Sequence, residues 1–489
     1  MLPPLIRRPR QKATPRSRER GVTMALVALA MVSIIAMAAL SIDVGTLYQA
    51  KDEAQRTADA AALAAARVIS ISGITGDPSN TSNSWQPACG GGSSAATLAA
   101  ITVAQQNLIS GLAVPTASVT VNYGAGSAGA SSTDCTSAGA AFAVNPVVAV
   151  TVQSAKLPIF FARVFSLFGS SYASTTVKAT ATAEVFNPSG SSPMVPVNPR
   201  CVKPWVVPNL DPGAAGTCAG NACKKFVDPT TGAIQSGGVA TAGVIGETFN
   251  LFADCATTRG RGPRVCALTD NPPVANGAGL ANSLDYVPGQ VSNASIAIAA
   301  NSTINACADA CRNDYSEAIA GCDQSTVYAC GTALANTVDL SEDPGPRRND
   351  SVNAAACLIN ASANFLGNGQ DYLSTSNSPP PTYAYPFQIL AGSNSALLTT
   401  GIASGSQITS SPSIVSLPIY DNTAPALLSG TGTTLVTVVG FLQVFINSVD
   451  STTGNINVTV MNVSGCGNSA ASTAVNGTSP VPIRLITPP

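Results

Sequence analysis

The sequence predicts an α+β protein hung on a membrane, and three observations carry that prediction. Residues 22–42 are uncharged and mostly apolar and stand directly behind a basic arm. Helix-like and strand-like patterns alternate between residues 95 and 186. Thirteen cysteines are spread unevenly over 489 residues, with ten of them between Cys201 and Cys357. The expected order is an N-terminal transmembrane helix continuing into a long helix, a small α+β domain, a Cys-rich loop/helix insert and a C-terminal β-rich region.

The arm, 1–20, carries Arg7, Arg8, Arg10, Lys12, Arg16, Arg18 and Arg20 against Glu19 alone. At 1.5 Å per residue the run Val22–Ile42 makes a helix of roughly 31 Å, enough to cross the hydrocarbon core of a bilayer. The Lys/Arg excess before it keeps the arm in the cytoplasm and sends the rest across, giving a single pass with the N-terminus inside. A cleaved secretory signal is the alternative, with Ala36-Met37-Ala38 as a small-residue cleavage site. The run is long for a signal, and its helical pattern continues past Ile42, so a retained anchor is the expectation.

The helix is expected to run to Ile69, since 43–69 has no proline and only Gly45, and is rich in helix formers. This gives 21–69 as anchor and helical extension. Small residues recur along it at 3–4 spacing, Ala25, Ala28, Ala36, Ala39, Thr46, Ala50, Ala54, Ala58, Ala61 and Ala65, with Val32 and Asp43 filling the two gaps. Such a stripe lets another helix approach closely, so a homo-oligomer through this helix is an expectation. An Ala-rich composition alone also yields such a stripe.

The small domain, 70–187, reads as a Gly/Ser/Asn loop and then a helix, Ala95–Leu112, with Leu98, Ile101, Ala104, Leu108 and Leu112 on one face. Strands Ala117–Tyr123 and Ala141–Gln153 follow, then a short helix Leu157–Phe168 with Pro158 in its first turn and a strand Ala173–Phe186. Cys89 and Cys135 are placed to staple its loops. Seven prolines between Pro188 and Pro212 mark a linker. The Cys-rich region, 213–378, has a helix-compatible centre at Thr303–Ala335. The C-terminal region, 379–489, carries strands Ser413–Tyr420, Thr433–Ser448 and Asn455–Val463, the last two as a hairpin around 449–454.

Chemistry is limited by what is missing. The chain has no histidine, which excludes Ser-His-Asp and Cys-His catalysis and ordinary His-ligated zinc. Residues beyond 20 carry 17 basic and 24 acidic side chains, a net charge of −7, which gives no footprint for nucleic acid. Neither enzyme activity, cofactor nor metal is expected. Cys89, Cys135, Cys201, Cys218, Cys223, Cys255, Cys266, Cys307, Cys311, Cys322, Cys330 and Cys357 are disulfide candidates in an exported segment. The odd count leaves at least one thiol free or paired between chains, and isolated Cys466 is the best candidate. Gly124-Ala125-Gly126-Ser127-Ala128-Gly129 fits a phosphate-loop string but precedes no helix, so a hairpin loop is expected. Asp309, Asp314, Glu317 and Asp323 read as a solvated helix face rather than a Ca²⁺ site or catalytic pair. Trp85 and Trp205 sit in loops and are expected to tuck beneath them.

The stretch Arg20-Gly21, Ser41-Ile42-Asp43-Val44-Gly45-Thr46-Leu47-Tyr48 and Gln55-Arg56-Thr57-Ala58-Asp59-Ala60-Ala61-Ala62-Leu63-Ala64-Ala65-Ala66 resembles the N-terminal segment of TadG-like Flp pilus-assembly proteins. Phe160-Phe161-Ala162-Arg163-Val164-Phe165, followed by a Thr/Ala-rich strand, resembles a later feature of such proteins. Two departures stand out. Leu26 occupies the position where pilins cut by prepilin peptidase carry Glu, so cleavage is not expected. Asp77-Pro78-Ser79-Asn80-Thr81 lies in a loop, so the metal site of a von Willebrand A-type domain is not expected either. The resemblance implies a membrane-anchored, non-enzymatic component of a Flp/Tad-type pilus or tight-adherence system. It would sit in the bacterial inner membrane, with an ectodomain in the periplasm or outside that meets pilus or envelope proteins. The alternative is a surface adhesin or carbohydrate-binding protein, anchored or secreted.

Overall fold

The structure, a computed structural model, describes residues 19–76, 83–154, 157, 176–190, 195–212, 224–235, 244–253, 283–291, 313–339, 344–361, 369–375, 385–422, 433–451, 453–466 and 474–486. Helix α1, Glu19–Ile71, is one unbroken helix of 53 residues, about 80 Å long. Its apolar run is exposed from Val22 to Ile42, apart from the half-buried Ala39. Beyond it one face sinks into the protein, and Ala50, Ala54, Ala58, Ala61 and Ala65 are each at most 1% exposed. The chain leaves the helix through Gly73 at φ +84°.

Around this buried half the chain builds a two-layer body. A short helix α2 (Gln86–Cys89) leads to α3 (Ala95–Gln106), then a hairpin of β1 (Leu108–Ile109) and β2 (Leu112–Ala113). Strands β3 (Val119–Ala125) and β4 (Ala130–Ser132) follow, then α4 (Ala140–Val144), β5 (Pro146–Ser154) and β6 (Val177–Val185). The predicted helix 95–112 is thus six residues too long. Ser110 and Gly111 both take positive φ, 51° and 77°, as a tight hairpin turn requires, and the helix cannot continue through them. Of the predicted helix face, only Ala104 is buried. Ala96, Ala100 and Ala104 are buried against α1, whereas Leu98, Leu108 and Leu112 face outward. Closeness between two small-residue faces decided the packing here, not side-chain size.

In β5, Val148, Val150 and Val152 turn inward; in β6, Ala179, Ala181 and Ala183 do. The alanines of β6 form a shallow floor on which α1 lies directly. Gly124–Gly129 does form a hairpin connection, as expected: β3 pairs with β4, and a Cβ on Gly124 would stand 1.8 Å from the carbonyl oxygen of Gly129. The predicted helix 157–168 lies outside the described residues.

The second body begins at β7 (Val197–Pro199) and β8 (Trp205–Pro208) and continues through β9 (Thr248–Ala253) and β10 (Ser283–Pro288). Helix α5 (Asp314–Ala320), strand β11 (Gly331–Asp339) and helix α6 (Pro344–Leu358) come next. Of the predicted helical centre 303–335, only α5 is helical among the described residues, and its C-terminal end belongs to a strand. Three two-residue strands, β12 (Tyr372–Leu373), β13 (Ile389–Leu390) and β14 (Gln407–Ile408), make a small antiparallel sheet. Then come β15 (Ile414–Tyr420), β16 (Thr433–Asp450) and β17 (Asn455–Gly465). The expected hairpin is present, with Asp450 opposite Asn455.

Strand β16 is long enough to hold three neighbours. It pairs with β15 along one edge, and with β11 and then β17 along the other. Since β17 pairs with β9, β9 with β10, β10 with β8 and β8 with β15, the sheet closes into a six-stranded ring, β16-β15-β8-β10-β9-β17. Closure leaves no free edge within the ring. Segments 188–212, 213–378 and 379–489 all contribute strands to it. Helix α6 packs on β9, β16 and β17. Strand β18 (Val475–Gly477) runs parallel to β7. The last strand, β19 (Ile483–Ile486), returns to the first body and adds to β6, completing the antiparallel sheet β19-β6-β5-β3-β4.

Cys89 pairs with Cys135, Cys201 with Cys322 and Cys330 with Cys466, with Cα separations of 5.6, 4.5 and 5.4 Å. Cys466 is therefore not the free thiol expected from its isolation in sequence. It directly follows β17, while Cys330 directly precedes β11, and both strands flank β16 on the same edge. Cys357 is also disulfide-bonded. Cys218, Cys223, Cys255, Cys266, Cys307 and Cys311 lie outside the described residues.

Candidate functional site

The longest exposed apolar surface belongs to α1, so the site is built on that helix. Val22, Leu26, Leu29, Ile34, Ile35 and Met37 are each 60–65% exposed. This is the one helix among the described residues long and apolar enough to cross a membrane. Of the small-residue stripe, Ala25, Ala28 and Ala36 lie on this exposed half and Ala39 is half-buried. Ala50, Ala54, Ala58, Ala61 and Ala65 do not remain available to a second chain. They are covered by the protein's own α3, β5 and β6, which corrects the expectation that the whole stripe serves assembly.

Polar contacts fix the seated half lengthwise. The Lys51 ammonium donates to the carbonyl of Lys178, and the Gln55 amide donates to the Thr180 carbonyl at 3.3 Å. Glu53 accepts from the backbone N–H of Ser110 in the β1–β2 turn at 2.6 Å. Near the far end, Ser70 donates to the Val481 carbonyl at 2.9 Å, and the Asn462 amide donates to the Ser70 carbonyl at 2.6 Å. Asn462 also donates to Gln443 at 2.8 Å and accepts from the Thr75 hydroxyl at 3.0 Å. The buried network thus ties the end of α1 to β16 and β17, where unmet partners would be costly.

Both tryptophans are core residues. Trp85 donates through Nε1 to the Tyr385 hydroxyl at 3.3 Å and lies 6.1 Å from the Phe142 ring. Trp205 donates to the Ser351 hydroxyl at 3.3 Å and lies 5.9 Å from Tyr286.

The four acids do not form one face. Asp314 and Glu317 occupy the first turn of α5, next to the positive end of its dipole. Asp323 is buried, contrary to the solvated face expected for it. Burial pushes its carboxyl up, but hydrogen bonds from Thr326 and Ser325 outweigh this and hold it below the usual value. Asp309 lies outside the described residues. Asp323 faces a cation that sequence reasoning missed: the fully buried Lys203, which donates to the carbonyls of Ala318 (3.3 Å) and Gly321 at the end of α5. Burial pulls Lys203 down to about 7, and the charge of Asp323 raises it again in part. The available signal was a lone cation inside the apolar run Val202–Val207.

Residues 21–68 match the family model described as "Putative Flp pilus-assembly TadE/G-like". The N-terminal segment is TadE/G-like. The matched TadE/G-like segment covers the exposed apolar run and nearly all of the seated half of α1, and ends three residues before the helix does. No curated protein and no solved structure matches the chain. The chain carries a TadE/G-like pilus-assembly segment and a helix able to cross a membrane, joined in one element.

Proposed function

We propose that this chain is a membrane-anchored, non-enzymatic component of a Flp/Tad-type pilus assembly or tight-adherence system. Residues 22–42 span the bacterial inner membrane, and both folded bodies stand on its outer face, where they meet pilus or envelope proteins. The single observation carrying this reading is the coincidence of the TadE/G-like match with α1, which is both an exposed apolar span and the central core element of the first body. The first buried alanine, Ala50, comes eight residues after Ile42, about 12 Å along the helix. Cover on α1 already starts at Asp43, the residue after Ile42, so the body begins at the headgroup layer, which is roughly 5–8 Å thick on each side. The paired cysteines fit an oxidising compartment on that face.

Two measurements test the reading. A reporter active only after export, fused after Pro489, is expected to be active, with the chain staying in the membrane fraction after alkaline washing. Release of a soluble form starting near Ala39 would instead support the secreted alternative. Deleting the gene is expected to abolish Flp-type pili and surface attachment together. Attachment lost with pili intact would favour the adhesin reading.

A further inference from the structure

A cavity of about 260 Å³ lies where the end of α1 meets the second body. Its polar lining includes Arg67 of α1, Lys203 ahead of β8 and Ser416 of β15. Leu358 of α6, with Pro412 and Ile414 at the start of β15, forms an apolar wall. Lys203 has its counter-charge in Asp323, which does not line the cavity. Arg67 has none: among the described residues its guanidinium makes neither an ion pair nor a hydrogen bond, although it is half-buried and burial lowers its basicity. The half-buried guanidinium lines the cavity with five N–H donors and a full charge, and no described protein group answers either. An anion entering the cavity would answer both.

We propose that this cavity binds a small organic carboxylate, whose carboxylate pairs with Arg67 and whose hydrocarbon part lies against Leu358, Pro412 and Ile414. Guanidinium presents a planar fork that matches the two oxygens of a carboxylate, and such pairs are stronger than neutral hydrogen bonds. The apolar wall distinguishes the ligand from an inorganic ion, which would gain nothing from it. The volume lies just below the roughly 300–1,000 Å³ typical of drug-sized ligands, so a compact acid fits. The same chemistry is offered by a free organic acid and by the terminal carboxylate of a peptide. This inference does not depend on the pilus reading.

The test uses the full chain in detergent micelles and isothermal titration. Hexanoate represents the free acid, and Ala-Ala-Leu with a free C-terminus represents the peptide. Hexanamide, the amidated tripeptide and sulfate are the controls. Saturable one-to-one binding is expected for hexanoate, the free-acid tripeptide or both, with the tighter of the two identifying the source, and at least tenfold weaker binding for the amides. Arg67→Gln is expected to weaken carboxylate binding at least tenfold while leaving the unliganded unfolding temperature unchanged or higher. A second measurement needs no variant: modification of Arg67 by phenylglyoxal, read by peptide mass spectrometry, should be slowed by the bound acid. No saturable carboxylate binding, equal binding of hexanamide, sulfate binding as tight as hexanoate, or Arg67 modification unaffected by the acid would each overturn the proposal.

Discussion

Burial draws Lys203 down to about 7 from the ordinary lysine value of 10.5, with Asp323 opposing the shift only in part. The consequence for stability follows from proton counting. Between about pH 7 and 10.5 the unfolded chain binds a proton at this lysine that the folded chain does not, so stability rises with pH across that window. Below pH 7 both states are protonated and this contribution is flat. Lys203→Met is therefore expected to remove a positive slope of up to about 1.4 kcal/mol per pH unit. Thermal unfolding of parent and variant from pH 7 to 9.5 measures it, and parallel curves would show that the lysine stays charged in the fold. Gly73 shows a second constraint at single-residue scale. Its φ is +84°, and an added Cβ would meet the side chains of Ile245 and Phe387 at 2.9 and 3.0 Å. Any other residue there must strain the backbone and displace core contacts together.

Within elements, small residues set the geometry of α1, α3 and β6, and this is where sequence reading both succeeded and failed. The long helix, the strands β3, β5 and β6, and the β16–β17 hairpin were legible because their patterns are local: an apolar run, period-two alternation and turn residues. The face of α3 was not, because Leu98, Leu108 and Leu112 outrank alanine on any hydrophobic scale, yet only alanine permits close contact with α1. The ring was not legible either. Its closure depends on β8, which meets β10 and β15 through two residue pairs each, too short a ladder to leave a periodic trace. The same limit hid the site residues. Arg67 and Lys203 stand 136 positions apart, and no local spacing relates them. Since the seated alanines touch the protein's own layers, Ala54→Leu with Ala58→Leu overpacks the core and is expected to cost about 1–3 kcal/mol per site. The unfolding temperature should fall sharply, whereas Ala25→Leu with Ala28→Leu should leave it unchanged. Equal unfolding temperatures for Ala54→Leu/Ala58→Leu and the parent would return the stripe to an intermolecular role.

Across the whole molecule, long-range ties hold together segments distant in sequence. The Cys330–Cys466 bridge closes a loop of 136 residues around β11, β16 and β17. Replacing both cysteines by serine is expected to cost about 2–5 kcal/mol, read as a lower midpoint in denaturant unfolding. An unchanged midpoint would mean that the ring holds this edge without it. The second tie is β19, whose Arg484 pairs with Glu184 of β6 across 300 positions and lies over the Phe186 ring at 5.1 Å. That return has a consequence for the order in which the chain becomes native. The first sheet lacks an edge strand, and the alanine core under α1 lacks part of its cover, until residues 483–486 have been delivered. For a chain made from its N-terminus, the first body would be the first to emerge and among the last to be finished. Until then β6 presents an unpaired edge, open to a strand from a neighbouring chain or to a guardian that occupies it.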